Sequence, residues 1–235
     1  MAETVYAPEG VIYVAFGDNA IKAVTSSVMS LRLLCPELPI VIVGKEPLWV
    51  TTHQESMYWD GETPYKATNP SQFQFLAGRI KPFLYGISPF DKTLYVDADT
   101  EFQSSPMPGF DLLNRYDFMM AKHSSHNLGM LGNNPSPERT ATMEELGGDG
   151  DQPYPNSGVL FWKKCPAAER LFSAWSTEWL RFPGWDEQLA LMRALFKNPT
   201  RYLLLPEAWN GENRKEGSII FHDFHGTRIA RSDAG

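Results

Sequence analysis

A strand–helix–strand pattern near the start of the chain is the feature that most constrains the fold. Val11–Phe16 is a β-branched and aromatic run between two glycines, which is typical of a short buried strand. Apolar residues then recur at helical spacing, two prolines end the helix, and Ile40–Val43 is a second buried strand. Strands joined by a helix pair in parallel, and a parallel sheet is covered by helices on both faces. The sequence therefore predicts an α/β fold.

Further apolar runs extend the predicted sheet. In chain order they are Thr93–Val96, Asp117–Ala121, Ser157–Trp162, Tyr202–Leu205 and Ser218–Phe221. A helical pattern runs from Phe73 to Leu84, and two amphipathic helices follow Trp162. Because the chain shows neither an internal repeat nor a second composition regime, we expect a single domain over 1–235.

Residues 123–155 differ in composition from the rest of the chain. They are rich in Gly, Pro, Asn and Ser and have almost no apolar periodicity. A loop of this length within a compact domain is typical of a functional lid or a disordered insertion. We therefore predict a long loop here that acts as a lid and as an acceptor region.

The composition excludes several classes of protein. With 43% hydrophobic and 13% aromatic residues the chain is not intrinsically disordered, and no window has the roughly 18 apolar residues of a membrane span. The net charge of −7 argues against binding along a nucleic-acid backbone. Cys35 and Cys165 are too few for a disulfide framework, and Met1–Gly10 lacks the features of a secretory signal. We therefore expect reduced thiols in a cytoplasmic protein.

The strongest candidate site is formed by Asp97 and Asp99, which directly follow the run Thr93–Val96. In an open α/β sheet, ligands bind beyond the carboxyl ends of the strands. Two aspartates at this spacing can turn toward one hard cation, and oxygen ligands suit Mg²⁺ or Mn²⁺, which takes substrate phosphates as further ligands. Asp149 and Asp151 have the same spacing, but no strand precedes them and a solvated loop explains them. The sequence therefore predicts a divalent metal site at Asp97 and Asp99.

Other polar residues could contribute to the same site, and each also has a structural interpretation. Arg79 and Lys81 could pair with a diphosphate, or they could form the solvated face of a helix. Asn156 and Ser157 could bond sugar hydroxyls while Gly158 lets a ligand approach the backbone, or the three residues could simply form a turn.

Two later positions carry the same ambiguity. Asp186 stands at the start of a helix, where an aspartate is most often an N-cap. His222 ends an apolar strand, and His225 follows shortly after it. A neutral imidazole at a strand end can be a third metal ligand, although a lone histidine is more often a hydrogen-bonded structural group.

The order of these motifs resembles that of the GT-A-fold glycosyltransferases, above all the glycogenin and lipopolysaccharide galactosyltransferase type of glycosyltransferase family 8. The shared order is a strand with Asp-x-Asp, then Asn-Ser-Gly-Val, Asp-Glu-Gln, Trp-Asn and a His with a following Gly, over residues 11–228. The resemblance implies a GT-A, Rossmann-like, mostly parallel central sheet with helices on both faces.

The resemblance also implies a role for each motif. In this family two aspartates and a late histidine hold Mn²⁺ (or Mg²⁺) on the diphosphate of a nucleotide sugar, and Asp97, Asp99 and His222 are similar in position. The donor-binding and cofactor-binding residues that it implies are Ala15, Phe16, Gly17, Asn19, Arg79, Asp97, Ala98, Asp99, Gly226 and Arg228. The residues that it implies around the transferred sugar are Arg79, Asn156, Asp186 and Gln188.

The end of the chain departs from the family pattern. The family has His-x-x-Gly-x-x-Lys-Pro-Trp, whereas here His222 lies four residues before Gly226 and no Lys-Pro-Trp follows. His225 is therefore an alternative metal ligand. Arg228 replaces the lysine near the diphosphate, and arginine differs from lysine in geometry.

These observations lead to one main functional hypothesis and two alternatives. The first is a metal-dependent glycosyltransferase that moves a hexose from a nucleotide diphosphate sugar, most simply a UDP-sugar, with retention of configuration. Its acceptor stays open between a saccharide, a protein and modified nucleic acid. The second is a sugar-phosphate nucleotidyltransferase, but the first strand lacks the glycine-rich basic phosphate loop expected there. The third is a non-catalytic carbohydrate- or nucleotide-binding protein, which two adjacent carboxylates without a metal disfavour.

Overall fold

The structure, a computed structural model, describes residues 8–44, 55–58, 80–128, 136–148, 150–182, 186–212 and 216–222. In chain order its strands are β1 (Glu9–Val14), β2 (Ile40–Gly44), β3 (Glu55–Tyr58), β4 (Lys92–Val96), β5 (Thr100–Phe102), β6 (Phe118–Asn127), β7 (Pro153–Lys163), β8 (Tyr202–Leu205) and β9 (Ile220–His222). Its helices are α1 (Asp18–Leu34), α2 (Leu84–Ile87), α3 (Met107–Leu112), α4 (Pro137–Glu145), α5 (Pro166–Arg181) and α6 (Glu187–Lys197). Short 3₁₀ turns at Lys81–Phe83 and Glu207–Trp209 precede α2 and follow β8.

Seven strands form one sheet in the order β3-β2-β1-β4-β7-β6-β8. The strands from β3 to β4 run parallel to one another, and β8 runs parallel to β6. β7 is antiparallel to both of its neighbours, β4 and β6. β5 and β9 form a separate antiparallel pair. The predicted α/β fold with a mostly parallel central sheet is confirmed.

Alternate side chains of β1 enter different hydrophobic cores on the two faces of the sheet. Val11 and Tyr13 pack with α1 and α3, whereas Ile12 and Val14 pack with α5 and α6. Successive side chains of a strand point to opposite faces, so this division follows directly from the backbone geometry. It explains why the run Val11–Val14 is apolar at every position rather than at every second one.

The structure corrects the prediction of one long loop over residues 123–155. In the described part of that segment β6 continues to Asn127, α4 occupies Pro137–Glu145, and β7 begins at Pro153. Apolar periodicity does not find α4 because its buried residues, Glu138 and Thr142, are polar. A function of this segment as a lid stays a prediction.

The chain between β1 and α1 turns at Gly17. This residue is the N-cap of α1, and its φ of 84° lies in the left-handed region that favours glycine.

The helix predicted from Phe73 to Leu84 lies outside the described residues up to position 79. At the described end of this segment, α2 begins at Leu84. Among the helices that the structure describes, none combines the length and apolar character needed to cross a bilayer. Cys35 and Cys165 are free thiols.

Candidate active site

Two carboxylates and an imidazole meet beyond the carboxyl end of β4. Asp97 and Asp99 lie in the turn between β4 and β5, and the pairing of β9 with β5 places His222 opposite Thr100. His222 Nε2 lies 3.1 Å from Asp99 Oδ1 and 3.7 Å from Asp97 Oδ2. One ligand atom of each residue lies within 4.8 Å of the others. We refer to Asp97, Asp99 and His222 as the Asp-Asp-His cluster.

A hydrogen bond to Asn210 orients the imidazole of this cluster. Asn210 Oδ1 lies 2.8 Å from His222 Nδ1. An amide oxygen only accepts hydrogen bonds, so Nδ1 is the donor in this contact, and Nε2 is the nitrogen that faces the carboxylates. Metal-binding histidines typically donate their other ring N–H to a protein oxygen in this way. The two carboxylates are oxygen ligands that suit Mn²⁺ or Mg²⁺, and imidazole is a nitrogen ligand that divalent transition metals accept.

Gly158 of β7 closes the cluster from the sheet side. A Cβ at this position would lie 2.6 Å from His222 Cε1 and 2.9 Å from Asp97 Oδ2. Asp97 N also donates to Gly158 O over 2.8 Å, which holds the turn against β7. The absence of a side chain here leaves the carboxylate and the imidazole in place, so the residues present fit a bound divalent cation.

Replacing Gly158 with alanine is expected to weaken Mn²⁺ binding by about 10–100-fold, because the new methyl group must displace His222 or Asp97. Isothermal titration calorimetry with Mn²⁺ measures the effect, and thermal unfolding shows that the variant is folded. Gly86→Ala is the matched control, since a Cβ there meets nothing within 4 Å. Wild-type Mn²⁺ affinity in Gly158→Ala would show that this contact does not shape the site.

Lys81 is buried beside the cluster and pairs with two carboxylates. Its Nζ lies 3.0 Å from Asp97 Oδ1 and 3.3 Å from Glu187 Oε1, and it donates to Ser157 Oγ over 3.1 Å. Burial alone would lower the pKa of Lys81, but the two carboxylates together outweigh it and raise the pKa above its ordinary value. The lysine therefore stays charged and offsets part of the negative charge at the site.

Lys81 was predicted as a site residue, but its burial and its partner Glu187 were not predicted. A signal was present, since Lys81 is a single charge within the apolar run from Ile80 to Leu84. Tyr95 was not predicted either. Its buried hydroxyl donates to Asp97 Oδ1, and burial and the Asp97 charge raise its pKa well above the ordinary value, so it remains a donor.

The residues predicted around the sugar lie along β7 and at the start of α6. Asn156 Oδ1 accepts from Gly158 N over 2.8 Å, and Gln188 Oε1 accepts from Ser157 N over 2.8 Å. Asp186 is the N-cap of α6, with hydrogen bonds to its side chain from Gln188 N and from Leu189 N. Ser157 Oγ donates to Glu187 Oε1 over 2.9 Å. These contacts link the start of α6 to Lys81 and thus to the Asp-Asp-His cluster.

The residues predicted to bind the nucleotide lie at the neighbouring strand end. Ala15, Phe16, Gly17 and Asn19 follow β1, and β1 is the parallel neighbour of β4. The carboxyl ends of parallel strands meet at one edge of a sheet, so these residues share that edge with Ala98 and its flanking aspartates. The remaining predicted residues lie outside the described part of the chain; they are Arg79, His225, Gly226 and Arg228.

The sequence matches a model of the nucleotide-diphospho-sugar transferase family over residues 92–211, about half of the chain. The chain belongs to this family. The matched region of the transferase contains both aspartates of the Asp-Asp-His cluster and the β7 and α6 residues, and it ends before His222. The prediction of a transferase is therefore confirmed. No curated protein gives a significant match to the sequence.

Solved glycosyltransferases share the fold of this transferase at low sequence identity. The bifunctional glycosyltransferase WbbM has a TM-score of 0.65 and 14% identity, with 89% of this chain and 40% of that chain covered. Mouse xyloside xylosyltransferase 1 has a TM-score of 0.60 and 11% identity, with 92% and 97% covered. The galactosyltransferase LgtC, in complex with donor and acceptor sugar analogues, has a TM-score of 0.55 and 14% identity, with 86% and 74% covered. These similarities confirm the predicted GT-A fold.

Proposed function

We propose that this transferase moves a hexose from a UDP-sugar to an acceptor in a Mn²⁺-dependent reaction that retains configuration at the anomeric carbon. The observation that carries the proposal is the Asp-Asp-His cluster, whose ligand atoms lie within 4.8 Å of one another and which Gly158 leaves open to a cation. Family membership supports a nucleoside diphosphate sugar as the donor. Retention and the UDP donor follow from the sequence resemblance to family 8.

In this proposal Asp97, Asp99 and His222 hold the cation, with His222 as the ligand rather than His225. A bound Mn²⁺ or Mg²⁺ ion would supply positive charge where the departing diphosphate becomes more negative. Lys81 offsets the charge of Asp97 and Glu187, so an anionic donor meets less repulsion at the site.

The donor's remaining groups are assigned to the strand ends on either side of the cluster. The nucleoside and diphosphate would be contacted by Ala15, Phe16, Gly17, Asn19 and Ala98. Further contacts to the phosphates would come from Arg79, Gly226 and Arg228. Asn156, Asp186 and Gln188 would surround the sugar. Amide and carboxylate oxygens there would favour the positive charge that develops on the sugar ring.

We assign acceptor selection and exclusion of water to residues 123–155. The described part of this segment includes α4, which contacts α6 through Glu138 and Arg193, and so adjoins the helix that carries Gln188. Water must be excluded because it would otherwise hydrolyse the donor. The acceptor can be a saccharide, a protein or modified nucleic acid. The free thiols of Cys35 and Cys165 support a reducing, cytoplasmic location.

Nucleotide release from defined donors tests the proposal. The protein is incubated with UDP-glucose, UDP-galactose or GDP-mannose, with Mn²⁺ or with a chelator, and free nucleoside diphosphate is measured. We expect release from a UDP-sugar that needs the metal. Pyrophosphate formed from UTP and a sugar phosphate would instead identify a nucleotidyltransferase. Donor binding without turnover, even with saccharide, peptide and DNA acceptors present, would contradict an enzymatic role.

A further inference from the structure

Tyr154 connects the side chains of Asp186 and Gln188. The Tyr154 hydroxyl donates to Asp186 Oδ2 over 2.6 Å, and Gln188 Nε2 donates to the same hydroxyl oxygen over 3.0 Å. At the other end of the amide, Gln188 Oε1 accepts from Ser157 N over 2.8 Å. Tyr154 is 2% exposed, so water does not compete for these bonds.

The chemistry of these groups permits one orientation of the Gln188 amide. Asp186 Oδ1 accepts from Gln188 N and Leu189 N, so its carboxylate acts as an acceptor. Burial and the charge of Asp186 raise the pKa of Tyr154, so the phenol stays protonated and its O–H donates to Asp186. The phenol oxygen can then only accept from Gln188. A flipped amide would place the Gln188 oxygen against the Tyr154 hydroxyl oxygen, so that two acceptors meet. It would also place the Gln188 NH₂ group against the Ser157 N–H, so that two donors meet.

Asp186 is itself fixed by a buried ion pair between α4 and α6. Its backbone N–H donates to Glu138 Oε2 over 3.2 Å, and Glu138 Oε1 pairs with Arg193 Nη2 over 2.8 Å. Arg193 is 0% exposed, and it also bonds Thr142 of α4. The contacts from Arg193 to Gln188 therefore form one continuous chain.

We propose that Tyr154, supported by Asp186, is a positioning residue that holds the Gln188 carboxamide in a single orientation for sugar transfer. The inference rests on the proposed function, in which Gln188 lies beside the transferred sugar. In the described structure Gln188 Oε1 accepts one hydrogen bond, from Ser157 N, and Gln188 Nε2 donates one, to the Tyr154 hydroxyl. One lone pair of the oxygen and one N–H of the amide are therefore left for a ligand. A fixed dipole next to the reacting sugar costs no reorganisation during transfer.

Tyr154→Phe is expected to lower kcat for donor turnover by about 10–100-fold, while KM for the donor and Mn²⁺ affinity change by less than about threefold. In a Gln188→Ala background, the same substitution is expected to lower kcat by less than about threefold. Tyr154 acts through its hydrogen bond to the Gln188 side chain, and that side chain is absent in this background. Tyr85→Phe is the matched control, since it also removes a phenol hydrogen bond, to Cys165 O over 3.3 Å, at a different place. An unchanged kcat in Tyr154→Phe, or independent effects in the double variant, would overturn the proposal.

A spectroscopic readout separates this inference from the proposed function. The side-chain NH₂ resonances of Gln188 are identified by their loss in Gln188→Ala. We expect them to shift in Tyr154→Phe and to stay in place in Tyr85→Phe. If no donor is turned over, the proposed function fails while the NMR result still decides whether Tyr154 orients the amide; unmoved resonances in Tyr154→Phe overturn the inference.

Discussion

Replacing Asp99 with alanine is expected to lower Mn²⁺-dependent nucleotide release by about a thousandfold. The substitution removes one carboxylate from the Asp-Asp-His cluster, in which Asp99 Oδ1 lies 3.1 Å from His222 Nε2. A bound cation stabilises developing phosphate charge by several kcal/mol, and about 4 kcal/mol corresponds to about a thousandfold in rate. Steady-state kinetics of donor turnover, with calorimetric Mn²⁺ titration alongside, measures both consequences.

Asp99 is a cleaner position for this experiment than Asp97. Asp97 also pairs with buried Lys81 and accepts from Tyr95, so its removal would leave a buried cation with one carboxylate fewer and disturb folding. The control is Asp111→Ala, which removes an exposed carboxylate on α3. Turnover in Asp99→Ala within about threefold of wild type would contradict the metal-dependent mechanism.

Arg193→Met is expected to lower the free energy of unfolding by about 3–5 kcal/mol. Arg193 pairs with Glu138 over 2.8 Å and with Glu178 over 3.0 Å. Methionine preserves much of the side-chain volume but leaves both carboxylates without this cation in a region that excludes water. Urea denaturation followed by circular dichroism measures the change.

Two further variants test the explanation for this loss. Arg201→Met removes an arginine whose side chain is 69% exposed and pairs with Asp117, and it should cost much less stability than Arg193→Met because water screens this pair. Adding Glu138→Gln to Arg193→Met should recover part of the stability, because the amide oxygen can still accept from Asp186 N while one unpaired charge is removed. Equal losses in Arg193→Met and Arg201→Met would show that the buried ion pairs of Arg193 do not stabilise the packing of α6 against α4 and α5.

The strands and the two aspartates were predictable because their signals are local. Val11–Phe16 and Thr93–Val96 are apolar runs bounded by turn residues, and the structure places β1 at Glu9–Val14 and β4 at Lys92–Val96. Asp97 and Asp99 follow β4 immediately, so the strand prediction also located the candidate site. His222 is less local, because it reaches the cluster through the short pairing of β9 with β5. The resemblance to a known family, rather than periodicity, indicated its role.

The burial of polar groups is what the sequence did not predict. Apolar periodicity detects side chains that are buried because they are hydrophobic. Lys81 and Arg193 are buried because distant carboxylates compensate their charge, and Glu187 and Glu138 are such partners. These partners are far away in the sequence, so only the tertiary structure identifies them.

β7 supplies residues to both halves of the candidate site, with Gly158 against the metal ligands and Tyr154 and Ser157 against the Gln188 amide. β7 pairs in regular register with β4 from Val159 to Lys163, so deleting one residue there would turn the preceding side chains to the opposite face of the sheet. If the proposed function holds, cation binding and sugar positioning would be lost in the same event. Engineering a new donor preference must therefore preserve the length of this strand, whereas substitutions on α4 leave its register untouched.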